Sequence, residues 1–493
     1  MSTGRLDLVL RDARIGERVT DVLITDGRIA KIADGIRSGV EKVSLDGRWL
    51  IPGLWDEHVH FTQWALKTRR LDVSTATSAR QASTMVRDAL AAAGPLAVDD
   101  TGRPLTFVAN GFRDGIWPDA PNLADLDAAG NGVPIVLISF DLHSVWLNTV
   151  ALELFGHAGH PTGLLRETPA FAIENLVNTV PDSVLDPMVN DAATDAAARG
   201  IVGIVDLEMA WNLESWQRRM ASGTDTLRVE FGIYTEHIDR AISEGLYTGQ
   251  RVNELLTVGR HKIITDGSLG TRTAFCFDEY PGMAGQPDAR GILVVPPEQL
   301  AALLTRSTEA GLRAAVHAIG DRANAHVLDA FEALGLRHGR IEHAQLVTDA
   351  DVARFAALGV DASVQPEHAM DDRDIADRFW PGRTANAFML RSFADAGVRL
   401  VLGSDAPVAP LDPWVTLAAA VGRTRDGRDP WHVEQALTAQ QALAASTRTD
   451  VTVGEIADLA IVESDPLASP PEVLRTQTVA GTLLGGRWTH REL

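Results

Sequence analysis

The chain has 493 residues, 45% hydrophobic and 23% charged, with a formal net charge of −21. That length points to one large domain plus a smaller one, and the acidic balance argues against nucleic acid or an anionic membrane surface as a partner. No uncharged apolar stretch approaches the ~20 residues that span a bilayer, the lone Cys276 excludes an intrachain disulfide, and Met1–Asp7 lacks a basic segment followed by an apolar core, so a soluble cytoplasmic protein without a signal peptide is expected.

The first fifty residues read as short strands with tight turns. Leu6–Leu10 alternates, Val22–Thr25 runs through the Asp26-Gly27 turn into Arg28–Ile32, and Asp46-Gly47 precedes Trp49–Gly53. The C-terminal end has the same character. Asp458–Val462 and Val479–Leu484 read as strands, and the turn Gly485-Gly486 leads to Arg487–Thr489. Neither end has enough apolar area to fold comfortably alone. Residues 1–55 and 450–493 are therefore expected to form one composite β-sandwich.

Between the ends the pattern becomes strand, helix, strand over residues 56–449. Eight strands are predicted: around His58, Ile201–Leu207, Leu227–Tyr234, His261–Thr265, Arg313–Ile319, Arg340–Ala344, Asp361–Gln365 and Arg399–Gly403. Helical periodicity separates several, as in Pro297–Ala310 and Ala323–Leu336. This is the pattern of an α/β fold, a (β/α)8 TIM barrel. The stretch from about 61 to 200 is too long for one connection and holds strand-like runs at Thr106–Ala109 and Pro134–Phe140. It is read as an insertion after the first barrel strand.

Barrel active sites form at the C-terminal ends of the strands. His58 and His60 end the first predicted strand with side chains two apart on one side. Lys262 lies in the fourth, His317 ends the fifth, His343 ends the sixth and Asp405 follows the eighth. Singly, each has an ordinary reading. A histidine beside apolar residues is usually a hydrogen-bonded structural residue, Lys262 an ion pair, and Asp405 a cap for the segment after Pro407. Jointly, imidazole and carboxylate converging on one mouth point to a divalent metal.

The sequence resembles the amidohydrolase superfamily of metal-dependent hydrolases, in the branch that includes N-substituted formamide deformylase. The strings that carry the likeness run over Ile51–His60, Lys262–Ala274, Val316–Ala323, Arg340–Gln345, Ser363–His368 and Leu402–Val408. The resemblance implies that His58 and His60 bind one metal and His317 and His343 a second. It implies that Lys262, carbamylated by carbon dioxide, bridges both, and that Asp405 binds the first metal and is catalytic. The cofactor implied is a pair of divalent ions, expected to be zinc. The reaction implied is hydrolysis of a non-peptide amide or formamide C–N bond in a small molecule, by a hydroxide bridging the metals, with Asp405 shuttling the proton to the leaving nitrogen. A deaminase or cyclic-amide hydrolase on the same scaffold is the alternative, commonly with one metal and no lysine bridge. A non-catalytic relative acting as a scaffold is the third reading.

Three further residues are candidates for substrate contact. His143 matches an insertion motif that could reach over the barrel mouth, Arg272 follows a glycine-containing turn, and His368 is placed near the site on the seventh strand. Their ordinary readings are a structural histidine, an ion pair of Arg272 with Asp278 or Glu279, and a contact behind the site. Trp64, Trp117, Trp146, Trp211 and Trp380 either line an apolar pocket or fill cores. The expected partners are a small-molecule amide and no nucleic acid or membrane, with a homodimer as one assembly open to the chain.

Overall fold

Eight short segments, mostly buried on both faces, pair side by side in parallel and in sequence order. They are β1 (Leu54–Val59), β2 (Ile201–Asp206), β3 (Arg228–Tyr234), β4 (Leu256–Ile264), β5 (Ala314–Ala318), β6 (Arg340–His343), β7 (Asp361–Val364) and β8 (Leu400–Leu402). The computed structural model describes residues 7–94, 96, 98, 102–114, 117–139, 144–166 and 168–493. Leu6 and Phe140, the ends of two predicted strands, and His143 lie outside the described residues. All eight predicted barrel strands form. β4 starts five residues before its predicted start, at Leu256 rather than His261. Gly259 and Arg260 hid that extension by interrupting the apolar run. Gly259 is there for close approach, since a Cβ would stand 2.6 Å from the Phe231 carbonyl oxygen on β3.

The barrel closes between its last and first strands. Val59 and Ala406 form a parallel bridge. Asp405 N–H donates to the His58 carbonyl at 2.7 Å, and His60 N–H donates to that of Ala406 at 2.8 Å. Gly403 permits this contact, because a Cβ there would lie 2.6 Å from His58 N. β1 carries one more residue than β2 between Asp56 and Val59, a local register shift under the first histidine. Helices follow several strands. Asp349–Leu358 is capped by Thr348, whose side chain accepts from Asp351 N–H, and Pro366–Phe379 opens on a proline at its first position.

Both termini enter one eight-stranded sheet. The N-terminal strand Trp49–Pro52 runs antiparallel to the C-terminal strand Leu459–Val462, with Leu50 opposite Ile461. Leu10, Val22, Ile24, Leu50, Leu459, Ile461 and Leu483 share one buried core, so the small sandwich exists only when both ends meet. The chain divides into two compact units, one of Met1–Phe61 with Asn190–Leu493 and one of Thr62–Val189. The second has its own five-stranded sheet, in which the predicted runs appear as Phe107–Phe112 and Ile135–Ser139. Its core packs Val86, Phe112, Leu126, Leu137 and Trp146.

One layer below the histidines, the barrel interior is ionic. Glu57 is 2% exposed and receives Arg340 at 2.9 Å and Arg448 at 2.7 and 2.8 Å. Arg448 also reaches Glu230 at 2.8 Å and lies over the Trp55 ring. Burial alone would raise the Glu57 carboxyl, but Arg448 and Arg340 hold it well below the ordinary 4.5. A depressed folded value gives stability that is present above pH 4.5 and is lost as the pH falls below it. We expect Glu57→Gln, which leaves Arg340 buried without its charge partner, to lower barrel stability by about 3–5 kcal/mol in denaturant unfolding at neutral pH. The loss should shrink towards zero when unfolding is repeated in acid. A variant as stable as the parent at neutral pH would show that the ion pairs do not hold the barrel.

Candidate metal centre

Hydrogen bonding at one ring nitrogen determines which nitrogen of each imidazole is left to act. His58, 1% exposed, places Nδ1 2.7 Å from Glu342 Oε2, so its N–H donates there and Nε2 is the lone-pair nitrogen. His343 places Nδ1 2.9 Å from Gln365 Oε1 in the same manner. Nε2 of His58 and Nε2 of His60 each lie 3.4 Å from Asp405 Oδ1. That separation matches the edge of a tetrahedron with metal bonds near 2.0–2.1 Å, which is about 3.3 Å. Ligand atoms of His58, His60 and Asp405 fall within 4.8 Å of one another, as do those of His343, His368 and Asp405. Asp405 is common to both groups.

Lys262 reaches the same cluster from β4. Its side chain is 2% exposed and its Nζ makes no hydrogen bond. Burial depresses its basicity, partly opposed by the negative charges of Glu342 and Asp405. His317 meets His343 edge to face at 4.5 Å between ring centroids. Its Nε2 lies 3.4 Å from the Gly267 carbonyl and 3.4 Å from Asp266 Oδ1, so it belongs to neither group around Asp405.

Desolvation keeps this cluster in its ligand-competent forms. Burial and the neighbouring Lys262 push His317 down to about 3, and burial with His317 holds His343 well below its ordinary value. Burial also lowers His58. His60 differs. Burial opposes its charge, but the hydrogen bond and charge of Asp405 leave it raised. Asp405 itself is held well below the carboxylate range, because His58, His60 and His343 outweigh its burial.

The backbone is strained at the same place. His343, Ala344 and Asp405 have φ of 72°, 42° and 55°, a region that costs non-glycine residues about 1–3 kcal/mol each. Asp266, 1% exposed, ties the turns after β4 and β5 together by accepting from the N–H groups of Phe275, Ile319 and Gly320. Burial raises its carboxyl to about 7.

His58, His60, His343 and Asp405 thus come together as the sequence suggests, and Lys262 reaches the same cluster. His368, read there as a substrate contact, lies 3.9 Å from Asp405 by its Nε2. Arg272 is exposed and its guanidinium lies 5.5 Å above the Phe379 ring. The ion pairs expected for it go elsewhere, Asp278 to Arg383 and Glu279 to Arg290. Trp146 and Trp380 are fully buried in cores. Sequence reasoning assigned no part to Glu342, Gln365 or Asp266. Glu342 alone carried a signal, a carboxylate directly before a histidine at the end of a predicted strand.

The sequence profile of the Amidohydrolase family matches residues 41–490. The chain is 28% identical to Protein LONG AFTER FAR-RED 3 of Arabidopsis thaliana, over 86% of this chain and 78% of that one. It is 25% identical to the N-substituted formamide deformylase of Arthrobacter pascens, over 94% of each. A crystal structure of an uncharacterized metal-dependent hydrolase from Pyrococcus horikoshii superposes with a TM-score of 0.79 at 24% identity, covering 94% of this chain and 99% of that one. This likeness concerns the fold.

Glu342→Gln should keep the fold but release the orientation and basicity of His58. We expect metal affinity to drop by roughly 10–100-fold in competition with a chromophoric chelator. Unchanged affinity would remove Glu342 from any supporting role.

Proposed function

The chain belongs to the amidohydrolase family, and from that premise we propose that it hydrolyses a non-peptide amide or formamide C–N bond of a small molecule at a two-metal centre. In this reading His58, His60 and Asp405 would hold one divalent ion, His317 and His343 would hold the second, and Lys262 as a carbamate would be a further ligand. Zinc suits the imidazole-rich donor set.

The observation that carries this reading is the Lys262 side chain, buried with no hydrogen-bond partner for Nζ. A buried ammonium left unpaired is costly. Burial favours the neutral amine, which is the form that adds carbon dioxide. Carbamylation replaces a proton donor by an anionic acceptor among neutral imidazoles.

A divalent ion bound there would polarise a substrate carbonyl and bring the pKa of water towards neutrality. The remaining work falls to the chain. Asp405, kept ionised by the surrounding imidazoles, accepts the proton that water gives up as it adds to the carbonyl carbon. It then delivers that proton to the nitrogen, which departs as a neutral amine. Glu342 and Gln365 hold the rings of His58 and His343 so that their free nitrogens face inward.

A one-ion deaminase or cyclic-amide hydrolase is the second reading. It is favoured by His317, whose Nε2 faces the Gly267 carbonyl rather than Asp405. Elemental analysis separates the two, with about two equivalents of zinc per chain expected for the first and a reproducible single equivalent sinking it. Lys262→Ala should lower metal content, with partial recovery in a short carboxylic acid. Loading equal to that of the parent would rule out bridging. Asp405→Asn should keep most of the metal and lose about 100- to 10,000-fold in kcat. An active variant would remove Asp405 from proton transfer.

A further inference from the structure

Helix Pro366–Phe379 follows β7 and carries His368 on its first turn. Five acidic residues lie along it, of which three pair with arginines and a fourth accepts from an indole. Glu367 binds Arg425 and Arg475, Asp371 binds Arg425, Asp374 binds Arg428, and Asp377 accepts from the Trp431 indole. Asp372 differs. Its side chain accepts one hydrogen bond, from Gln345 Nε2 at 2.9 Å, and among the described residues no arginine or lysine forms an ion pair with it. Gln345 is 2% exposed and stands two residues beyond His343, so the bond ties Asp372 to the loop that leaves the metal cluster.

Asp372 also lies one helical turn beyond His368, on the same face, where side chains are neighbours at about 5–6 Å between Cβ atoms. His368 is 7% exposed, and its Nε2 has no hydrogen-bond partner although it stands 3.9 Å from Asp405 Oδ2. The order along this wall is thus Asp405, His368, Asp372. Two polar groups with unused capacity stand next to each other beside the reacting centre. Burial holds the Asp372 carboxyl above its ordinary value, only partly offset by His368 and Gln345. A carboxylate in such a place is stabilised by a cation that arrives with the substrate.

We infer that Asp372 is a specificity-determining residue that receives a cationic group of the substrate, so that the enzyme prefers amides carrying an ammonium a short arm from the scissile carbonyl. This rests on the amide-hydrolase reading above. His368 lies between the two ends of such a substrate and contacts the arm. Gln345 positions the carboxylate.

The test pairs two substrates, the monoformyl derivative of cadaverine and its isostere with a hydroxyl in place of the ammonium. The parent holoenzyme should hydrolyse the cationic one with a kcat/KM at least about 30-fold higher. Asp372→Asn should bring that ratio close to one, Asp372→Glu should retain part of it, and Asp371→Asn, on the outward side, should leave it in place. A purely structural loss would lower both substrates together and keep the ratio. Equal use of the two substrates by the parent, or a ratio unmoved in Asp372→Asn, overturns the inference and leaves amide hydrolysis standing. If neither substrate is turned over, calorimetry with the same two formamides decides. Tighter binding of the cationic one that is lost in Asp372→Asn upholds the cation site while the formamide reading falls, and equal binding overturns the site.

Discussion

Removal of water from the barrel interior is the constraint on which the rest of this structure depends. His58, His343, Lys262, Glu342 and Asp405 are each less than a tenth exposed. Such groups are costly to bury unless every charge finds an opposite or every proton a partner. The chain meets this demand in two layers. In the lower one, Glu57, Arg340, Arg448 and Glu230 neutralise one another through direct ion pairs. In the upper one the same dryness favours the neutral imidazole at His58, His317 and His343, with one N–H each of His58 and His343 satisfied by a carboxylate and an amide. Lys262 Nζ has no such partner, and His60 Nδ1, His368 Nε2 and one oxygen of Glu342 are likewise without a hydrogen bond. The lower layer, of glutamates and arginines, is structural, and the upper one is poised.

Closure of the barrel and construction of the site are one event. The backbone bonds that join β8 to β1 are made by His58, His60, Asp405 and Ala406 themselves. Asp56 reinforces them by accepting from the N–H groups of His58 and Ser404, each at 3.1 Å, and burial raises its carboxyl to about 7. The strained φ of Asp405 sits inside this seam, and those of His343 and Ala344 lie at the end of β6. Strain of that kind persists only where surrounding contacts over-determine the backbone. A seam of ladder bonds, a buried carboxylate and a glycine that admits close approach provides such over-determination. The direction of the Asp405 side chain is therefore set by the fold and not by its own rotamer preference.

Much of this was legible from sequence because strands carry their signal locally. Ile201–Asp206 and Ala314–Ala318 are apolar runs, and a polar residue at or just past a strand end stands out, as His317 does. His58, His60, His343 and Asp405 could be placed on one face by this reasoning alone. The parts that were not legible depend on relations between distant segments. That Glu342 meets His58 follows from barrel register, with the two 284 positions apart in the chain. His368 joins the cluster through the angle at which its helix leaves β7, which no local pattern encodes. Arg272 was misleading for the opposite reason. Two acids lay close in sequence, but Arg383 and Arg290 reach them across the fold.

The same distinction separates the barrel from the loops that specify its substrate. A metal cluster requires particular residue types at strand ends, so its chemistry constrains sequence and leaves a readable trace. A substrate pocket requires only complementarity, which many residues can supply from many positions. What identifies a specificity residue is then not its type but its imbalance. Along the helix after β7, arginines from distant segments neutralise Glu367, Asp371 and Asp374, and the one carboxylate facing the loop beyond His343 meets only an amide. Five acids on one helix look alike in sequence. Only the folded arrangement, by setting arginines against three of the others and the Trp431 indole against Asp377, leaves Asp372 as the acid beside His368 that meets an amide.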